Sequence, residues 1–218
     1  MQINKLLTTV NYKKGNGKQN KYIVIHYVGA TGGAEANCKY FQSVYRGASA
    51  HYFVGHSGEV WQCVNDSDIA WHCGATRYRH RECRNSNSIG IELCCRKKNS
   101  NGTWYFEEET IKAATQLTKE LMAKYNIPAS NVIRHYDVTG KRCPEPFVRD
   151  TGAWNTFKAG LSAAASTITT PTGYLVRITA SALNVRAGAG VGYRINTTVN
   201  KGEVYTIVGE YNGWGKLK

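Results

Sequence analysis

The stretch KYIVIHYV at residues 21–28 constrains the fold most, because it is a continuous apolar run of strand length. A strand without polar alternation is buried on both faces, which is the environment of a central strand in a parallel sheet. The stretch NVIRHYDV at 131–138 predicts a second strand of this kind. Such strands need helices to cover them, so the pattern predicts an α/β fold.

The segments between these two runs supply helices and further strands. The clearest helix follows Phe106 and ends before Pro128, with three glutamates at its positive N-terminal end. A shorter helix is predicted over 34–47, ended by Gly47, and a hairpin over 50–64 with its turn at Ser57 and Gly58. The stretch SIGIELCC at 88–95 alternates, with Ile89, Ile91, Leu93 and Cys95 on one face and Gly90, Glu92 and Cys94 on the other.

The composition of the chain and its pattern of apolar residues change after residue 160. Residues 161–173 are small residues and threonines without apolar periodicity, as in a linker. Residues 174–218 are short β-branched runs between glycines, which predicts a small all-β module. The chain is therefore expected to contain a mixed sheet flanked by helices over 1–160, a linker over 161–173 and an all-β module over 174–218.

A net charge of +13 favours an anionic partner. The basic residues are scattered, and their only local cluster, Arg77, Arg79, Arg81 and Arg84, is typical of a solvated loop, so nucleic acid is not expected. The chain contains no apolar stretch of membrane-spanning length and no signal-peptide pattern at its start, which predicts synthesis in a cytoplasm.

Seven cysteines form an odd set without a CxxC pair, which argues against a secreted disulfide framework. In a reducing cytosol most of them should be small buried apolar residues. Four of them, Cys73, Cys83, Cys94 and Cys95, surround the motifs described below. For these four the sequence leaves three alternatives open: inert core thiols, a second metal site or a redox-labile pair.

Two histidines and a cysteine form the first candidate site. His135 ends the second apolar run and Cys143 follows eight residues later, too far for one helix face but suited to a strand and a returning loop. These two groups could share a metal, act as base and nucleophile, or be unrelated. Together with His26, they offer three zinc ligands and leave a fourth position for water, as in catalytic sites. A core histidine and a buried thiol are the alternatives for each residue alone, but they do not explain why both histidines terminate apolar strands.

Glu92 and Lys141 are the next candidates. A carboxylate in an apolar strand is rare unless it is paired or functional, and beside a metal-bound water Glu92 could act as a general base. The alternative is an edge strand with Glu92 facing solvent. Lys141 could stabilise the oxyanion formed when water attacks a carbonyl, or it could be a surface lysine in a glycine-containing loop.

Five motifs in order carry a resemblance to zinc-dependent N-acetylmuramoyl-L-alanine amidases, which are related to peptidoglycan recognition proteins and common among bacteriophage endolysins. They are IVIHYVGA, SAHYFVGHSGEVWQCV, AWHCGA, NSNSIGIEL and RHYDVTGKRCPEPF. The resemblance implies that His26, His135 and Cys143 bind Zn²⁺ and that Glu92 and Lys141 are catalytic. It also places His72 and Trp71 in the substrate groove; packing beneath the site is the alternative for these two.

Residues 174–218 resemble a bacterial SH3-like wall-binding domain, although domains of this type continue past the GWGKL strand, which predicts an incomplete module. The two resemblances imply an endolysin that cleaves the amide between N-acetylmuramic acid and L-alanine in peptidoglycan. Its basic surface would suit anionic wall polymers, and a phage pore-forming protein would give it access to the wall. The alternatives are a non-catalytic peptidoglycan-binding protein and a cysteine peptidase that uses Cys143 and His135.

Overall fold

The structure is a computed structural model that describes residues 1–16, 19–98, 102–162, 173–211 and 214–218. The chain divides into two compact units, Met1–Leu161 and Ser162–Lys218. Most of the linker expected over 161–173 lies outside the described residues. Its first two residues, Leu161 and Ser162, form the end of a helix.

A six-stranded sheet forms the centre of the first unit. Its order is β1-β5-β4-β7-β3-β10, and every neighbouring pair is parallel except the β4–β5 hairpin. The four remaining strands of the unit form two short antiparallel pairs, β2 with β6 and β8 with β9. The strands are β1 Asn4–Lys5, β2 Tyr12–Lys13, β3 Tyr22–Tyr27, β4 Tyr52–Val54, β5 Val60–Gln62, β6 Ile69–Ala70, β7 Ser88–Leu93, β8 Arg96–Lys98, β9 Thr103–Tyr105 and β10 Val132–Arg134.

The two longest helices of the unit cover one face of this sheet. The unit contains α1 Ala34–Gln42, α2 Glu108–Tyr125, α3 His135–Thr139, α4 Glu145–Arg149 and α5 Thr151–Ser162. Buried side chains of α2 and α5, among them Leu117 and Phe157, pack against Ile23 and Ile91 in the main core. This layer confirms the predicted α/β architecture and the predicted long helix. None of the helices in the described ranges has both the length and the apolar character needed to cross a bilayer.

The opposite face of the sheet carries the candidate site. Because side chains alternate across a strand, Val24 and His26 of β3 and Gly90 and Glu92 of β7 point away from the main core. The parallel register places Val24 beside Gly90 and His26 beside Glu92. The central position of β7 also means that the alternative of Glu92 on an edge strand is wrong.

Two predicted element boundaries are wrong, and side chains distant in sequence explain the first. Helix α1 ends at Gln42 and not near Gly47. The Asn11 side chain donates to the carbonyls of Phe41 and Val44, and the Thr8 hydroxyl donates to the carbonyl of Phe41. Carbonyls at a helix end need such partners, and here the N-terminal segment supplies them.

The second boundary concerns the strand that leads to His135. Strand β10 ends at Arg134, and His135 is the first residue of helix α3. The Asp137 carboxylate accepts from the Arg134 backbone N–H at 2.9 Å and pairs with the Arg134 guanidinium at 2.8 Å. This local cap starts a helix where the apolar run predicted a continuing strand.

All seven cysteines are buried free thiols. Cys38, Cys63 and Cys94 lie in one apolar cluster with Phe53, and Cys73 and Cys83 lie in another with Val24. Within the described ranges, the only group of three or more His, Cys, Asp or Glu side chains arranged to hold a metal is His26, His135 and Cys143. The cysteine clusters therefore supply no second metal site there.

We expect a thiol titration in denaturant, with a chelator and without reductant, to count close to seven thiols per chain. Burial makes these thiols inaccessible to oxidants. The matched control is the same titration after full reduction, which sets the scale. A freshly prepared sample with five thiols would mean that Cys73 and Cys83, or Cys38 and Cys63, form a disulfide.

The described part of the second unit consists of strands from residue 174 onward. They are β11 Tyr174–Arg177, β12 Ala182–Arg186, β13 Ile195–Asn200, β14 Val204–Tyr211 and β15 Trp214–Leu217. Strand β14 pairs with β11 and β15, and β12 pairs with β13; all of these pairings are antiparallel. Val199 and Ile207 are its buried apolar residues. The all-β content agrees with the prediction made from the glycine-separated β-branched runs.

Candidate metal centre

Three elements bring His26, His135 and Cys143 together. His26 lies on β3, and β10 pairs with β3 and leads directly into His135 at the start of α3. Gly140 ends α3 at a φ of 87°, a left-handed conformation that favours glycine, and turns the chain back. The returning segment is held by the Tyr136 N–H, which donates to the Cys143 carbonyl at 2.8 Å.

The donor atoms of these three residues lie within 4.8 Å of one another. The Cys143 Sγ is 3.7 Å from the His26 Nδ1, and the rings of His26 and His135 are 4.6 Å apart between centroids. The buried His135 Nδ1 has no hydrogen-bond partner among the described residues. Two imidazoles and a thiolate are a donor set that zinc prefers, and a buried ring nitrogen without a hydrogen-bond partner among those residues suits a metal ligand.

The protonation states of the two histidines also suit a metal. Burial lowers the pKa of His26 well below its usual value, and burial followed by the charge of Lys141 lowers the pKa of His135 to about 4. Both imidazoles are therefore neutral at pH 7 and carry a free lone pair. Burial raises the pKa of the Cys143 thiol above its usual range, and a bound cation would reverse that shift by stabilising the thiolate.

Glu92 lies directly beside this cluster. Its Oε1 is 3.9 Å from the His26 Nδ1, its side chain is 20% exposed, and its Oε2 has no hydrogen-bond partner within the described ranges. Burial raises the pKa of Glu92 to about 7, while the positive charge of Lys141 acts in the opposite direction. A carboxyl group with such a pKa can accept and return a proton near neutral pH.

An open groove of about 870 Å³ is lined by one residue of the cluster, His135, and by Lys141, His72 and Trp71. Trp71 lies at one side of the groove, where its ring contacts the exposed Tyr45 at 5.9 Å between centroids. Arg77 lines the groove as well. Its cluster was interpreted from the sequence as a solvated loop, and only the fold shows that one member reaches the groove.

His72 differs from Trp71, because it is nearly buried and both its ring nitrogens contact protein atoms. Its Nδ1 is 3.0 Å from the His26 Nε2, and its Nε2 is 3.1 Å from the Ser88 Oγ. Ser88 was not among the residues predicted from the sequence. The signal was available, since Ser88, Gly90 and Glu92 alternate on one face of β7.

Comparisons with known proteins identify the family of this chain. A family model described as N-acetylmuramoyl-L-alanine amidase matches residues 16–146. A probable N-acetylmuramoyl-L-alanine amidase of Bacillus licheniformis is 34% identical over 151 residues, which cover 63% of this chain and 40% of the relative. The N-acetylmuramoyl-L-alanine amidase XlyA of Bacillus subtilis is 32% identical over 159 residues, or 72% of this chain and 49% of the relative. The chain thus spans about two-fifths to one-half of the length of these relatives.

Solved structures show the same fold. A mutant endolysin from Bacillus subtilis superposes with a TM-score of 0.60 at 29% identity, covering 74% of this chain and 99% of that one. The amidase AmiD from Escherichia coli, solved with a muramyl-peptide substrate, superposes with a TM-score of 0.51 at 29% identity, covering 65% and 57% of the two chains. Because the family match extends over more than half of the sequence, this chain belongs to the N-acetylmuramoyl-L-alanine amidase family.

Proposed function

We propose that this chain hydrolyses the amide between the lactyl group of N-acetylmuramic acid and L-alanine in peptidoglycan, with Zn²⁺ held by His26, His135 and Cys143. The observation that carries this proposal is the convergence of those three donors beside Glu92, with His135 also lining an open groove. Membership of the family supports the reaction. The muramyl-peptide bound in the AmiD structure supports the class of substrate.

The residues of the chain have separate roles in the proposed reaction. When bound, Zn²⁺ supplies Lewis acidity, which activates a water and polarises the substrate carbonyl. Glu92 accepts the proton of the attacking water and passes it to the leaving alanine nitrogen, a cycle that suits its pKa of about 7. Lys141, at the groove, stabilises the negative charge that develops on the carbonyl oxygen. Trp71 offers an aromatic surface to the substrate, while His72 packs beneath the site.

The two alternatives are less well supported. A cysteine peptidase needs an accessible thiol of low pKa, whereas Cys143 is 3% exposed and burial raises its pKa. A non-catalytic binding protein would not need a carboxylate beside the metal ligands, and Glu92 lies there at some cost in desolvation. Hydrolysis is therefore the function that the arrangement of side chains favours.

We further propose that residues 174–218 form an SH3-like module that binds the cell wall, and that the net charge of +13 favours a wall rich in carboxylates and anionic polymers. In this proposal a phage pore-forming protein would bring the enzyme to the wall. The module would raise the local concentration of the enzyme on its insoluble substrate without entering the reaction.

Digestion of purified peptidoglycan tests the proposed reaction. We expect new alanine amino termini to appear without new reducing sugar ends, because the bond cleaved joins a peptide to a lactyl group. An inactive Glu92 variant supplies the blank. Reducing ends would identify a glycosidase, and new amino termini other than alanine would identify a peptidase; either result would contradict the proposal.

A further inference from the structure

We propose that His72 is a positioning residue that sets the tautomer of His26, so that the Nδ1 lone pair of His26 faces Cys143 and Glu92. The two rings meet edge to face, with the His26 Nε2 3.0 Å from the His72 Nδ1. The effect of His72 on Zn²⁺ affinity rests on the proposed metal site. The direction of the hydrogen bonds follows from the protein atoms alone.

The direction of these hydrogen bonds is determined from Ser88, which lies on the side of His72 away from His26. The Ser88 Oγ lies 2.7 Å from the carbonyl oxygen of Arg84, which can only accept, so the Ser88 hydroxyl donates there. A hydroxyl has one hydrogen, so its contact with the His72 Nε2 at 3.1 Å uses the imidazole N–H as donor. A neutral His72 then has an unprotonated Nδ1.

The same logic passes from His72 to His26. The unprotonated His72 Nδ1 must accept, so the His26 Nε2–H donates to it. A neutral His26 consequently carries its lone pair on Nδ1, the atom that lies 3.7 Å from the Cys143 Sγ and 3.9 Å from the Glu92 Oε1. Three hydrogen bonds that end on one backbone carbonyl thus select the form of His26 that can bind a cation.

Two further side chains lie beside the His72 ring. The His72 side chain is 9% exposed, and the Cys73 side chain interacts with its imidazole and lies 3.9 Å, Sγ to Oγ, from Ser88. The ring of His51 lies 5.7 Å away, and it is occupied by two other bonds: the Gly90 N–H donates to its Nδ1, and its Nε2–H donates to the Asp68 carbonyl.

Packing around His72 holds its ring in this place. A Cβ atom on Gly90 would lie 2.5 Å from the His72 Cγ, so only glycine leaves room for the imidazole against β7. The Asn85 side-chain oxygen accepts from the backbone N–H groups of His72 and Cys73, at 3.1 and 2.8 Å. Three residues on one face of β7 therefore serve the site: Ser88 contacts the His72 ring, Gly90 leaves room for it, and Glu92 supplies the carboxylate.

Measurements of zinc affinity test whether the hydrogen bond between His26 and His72 supports metal binding. A hydrogen bond to the second ring nitrogen of a metal-bound histidine orients the ring and raises its basicity, and its loss costs about 10–100-fold in affinity. We expect His72→Leu, which removes the acceptor, to weaken Zn²⁺ binding by about that factor in competition with a chelating dye. In His72→Asn the side-chain oxygen can occupy the position of Nδ1, so we expect this variant to recover much of the affinity.

The matched control is His56→Gln, which removes a histidine that contacts the Cys95 carbonyl and not the site. We expect it to bind Zn²⁺ as the wild type does, and thermal melting checks that every variant is folded. Ser88→Ala serves where His72→Leu fails to fold, and we expect weaker binding from it as well. Wild-type affinity in a folded His72→Leu, or in Ser88→Ala should His72→Leu not fold, would overturn the proposal.

Nitrogen-15 NMR of the imidazole rings in the metal-free wild-type protein tests the hydrogen-bond direction itself. We expect both His26 and His72 to carry their hydrogen on Nε2. A hydrogen on the Nδ1 of His26 would overturn the proposal. Because this experiment needs neither metal nor substrate, its result is independent of the amidase assay, and a protein that fails to cleave peptidoglycan would contradict the proposed function alone.

Discussion

Replacing Glu92 with Gln should lower the rate of peptidoglycan hydrolysis by about 10²-fold or more, the scale that a lost general base produces. Glutamine has nearly the same shape and keeps a polar group beside His26, but it cannot accept a proton. We therefore expect the zinc content to stay at one ion per chain while alanine release falls. Elemental analysis and an assay for new amino termini measure the two quantities on the same sample.

The control for this prediction is Glu108→Gln, which makes the same chemical change at an exposed position of α2. Helix α2 packs against the face of the sheet opposite to Glu92. The control should retain both zinc and activity. If Glu92→Gln were as active as this control, Glu92 would not be the base, and the roles assigned around it would be wrong.

Replacing Cys143 with Ala should have the largest effect on the metal. Two imidazoles remain after the substitution, and the loss of the thiolate removes the one anionic donor of the set, so we expect zinc affinity to fall by on the order of 10²-fold or more. Hydrolysis should fall with it. Zinc content after dialysis against a weak chelator, followed by the hydrolysis assay with and without added zinc, measures both effects.

Cys38→Ala is the matched control, because Cys38 is also a fully buried thiol but lies in an apolar cluster with Phe53. Both substitutions remove a similar buried volume, so a shared loss of stability would appear in both. Only Cys143→Ala should lose zinc. A Cys143→Ala protein that kept one zinc per chain and full activity would contradict the proposed ligand set.

Much of the fold follows from local pattern. The continuous apolar run around Val24 predicted a central strand, and the alternation around Ile91 predicted another. The long helix that contains Leu117 was predicted with glutamates in its first turn and an end before Pro128. These predictions succeed because burial on one or both faces imposes a periodicity that a single segment displays. The predicted ends of α1 and of the strand before α3 were wrong, because these ends depend on hydrogen bonds of the Asn11 and Asp137 side chains.

Some features of the candidate site could likewise be predicted from the sequence, and others could not. Sequence alone could pick out His26 and Glu92, because a polar side chain within an apolar strand is costly unless it has a function. It could not show that the two lie side by side, because the register of parallel strands β3 and β7 is set by packing between segments 66 residues apart, counted from His26 to Glu92. It could likewise not show that Ser88 and His72 hold His26.

What the sequence by itself determined is therefore the kind of fold and the family, and it supplied the candidate side chains for the site. What only the tertiary structure decided is their order in space: which nitrogen of His26 faces Cys143, which carbonyl ends the hydrogen-bond series, and which cysteines lie away from the metal ligands. The physical reason is the distance along the sequence over which each interaction acts. Periodicity and capping act over a few residues of the chain, whereas hydrogen-bond direction and ligand geometry depend on atoms that only folding brings within a few ångströms.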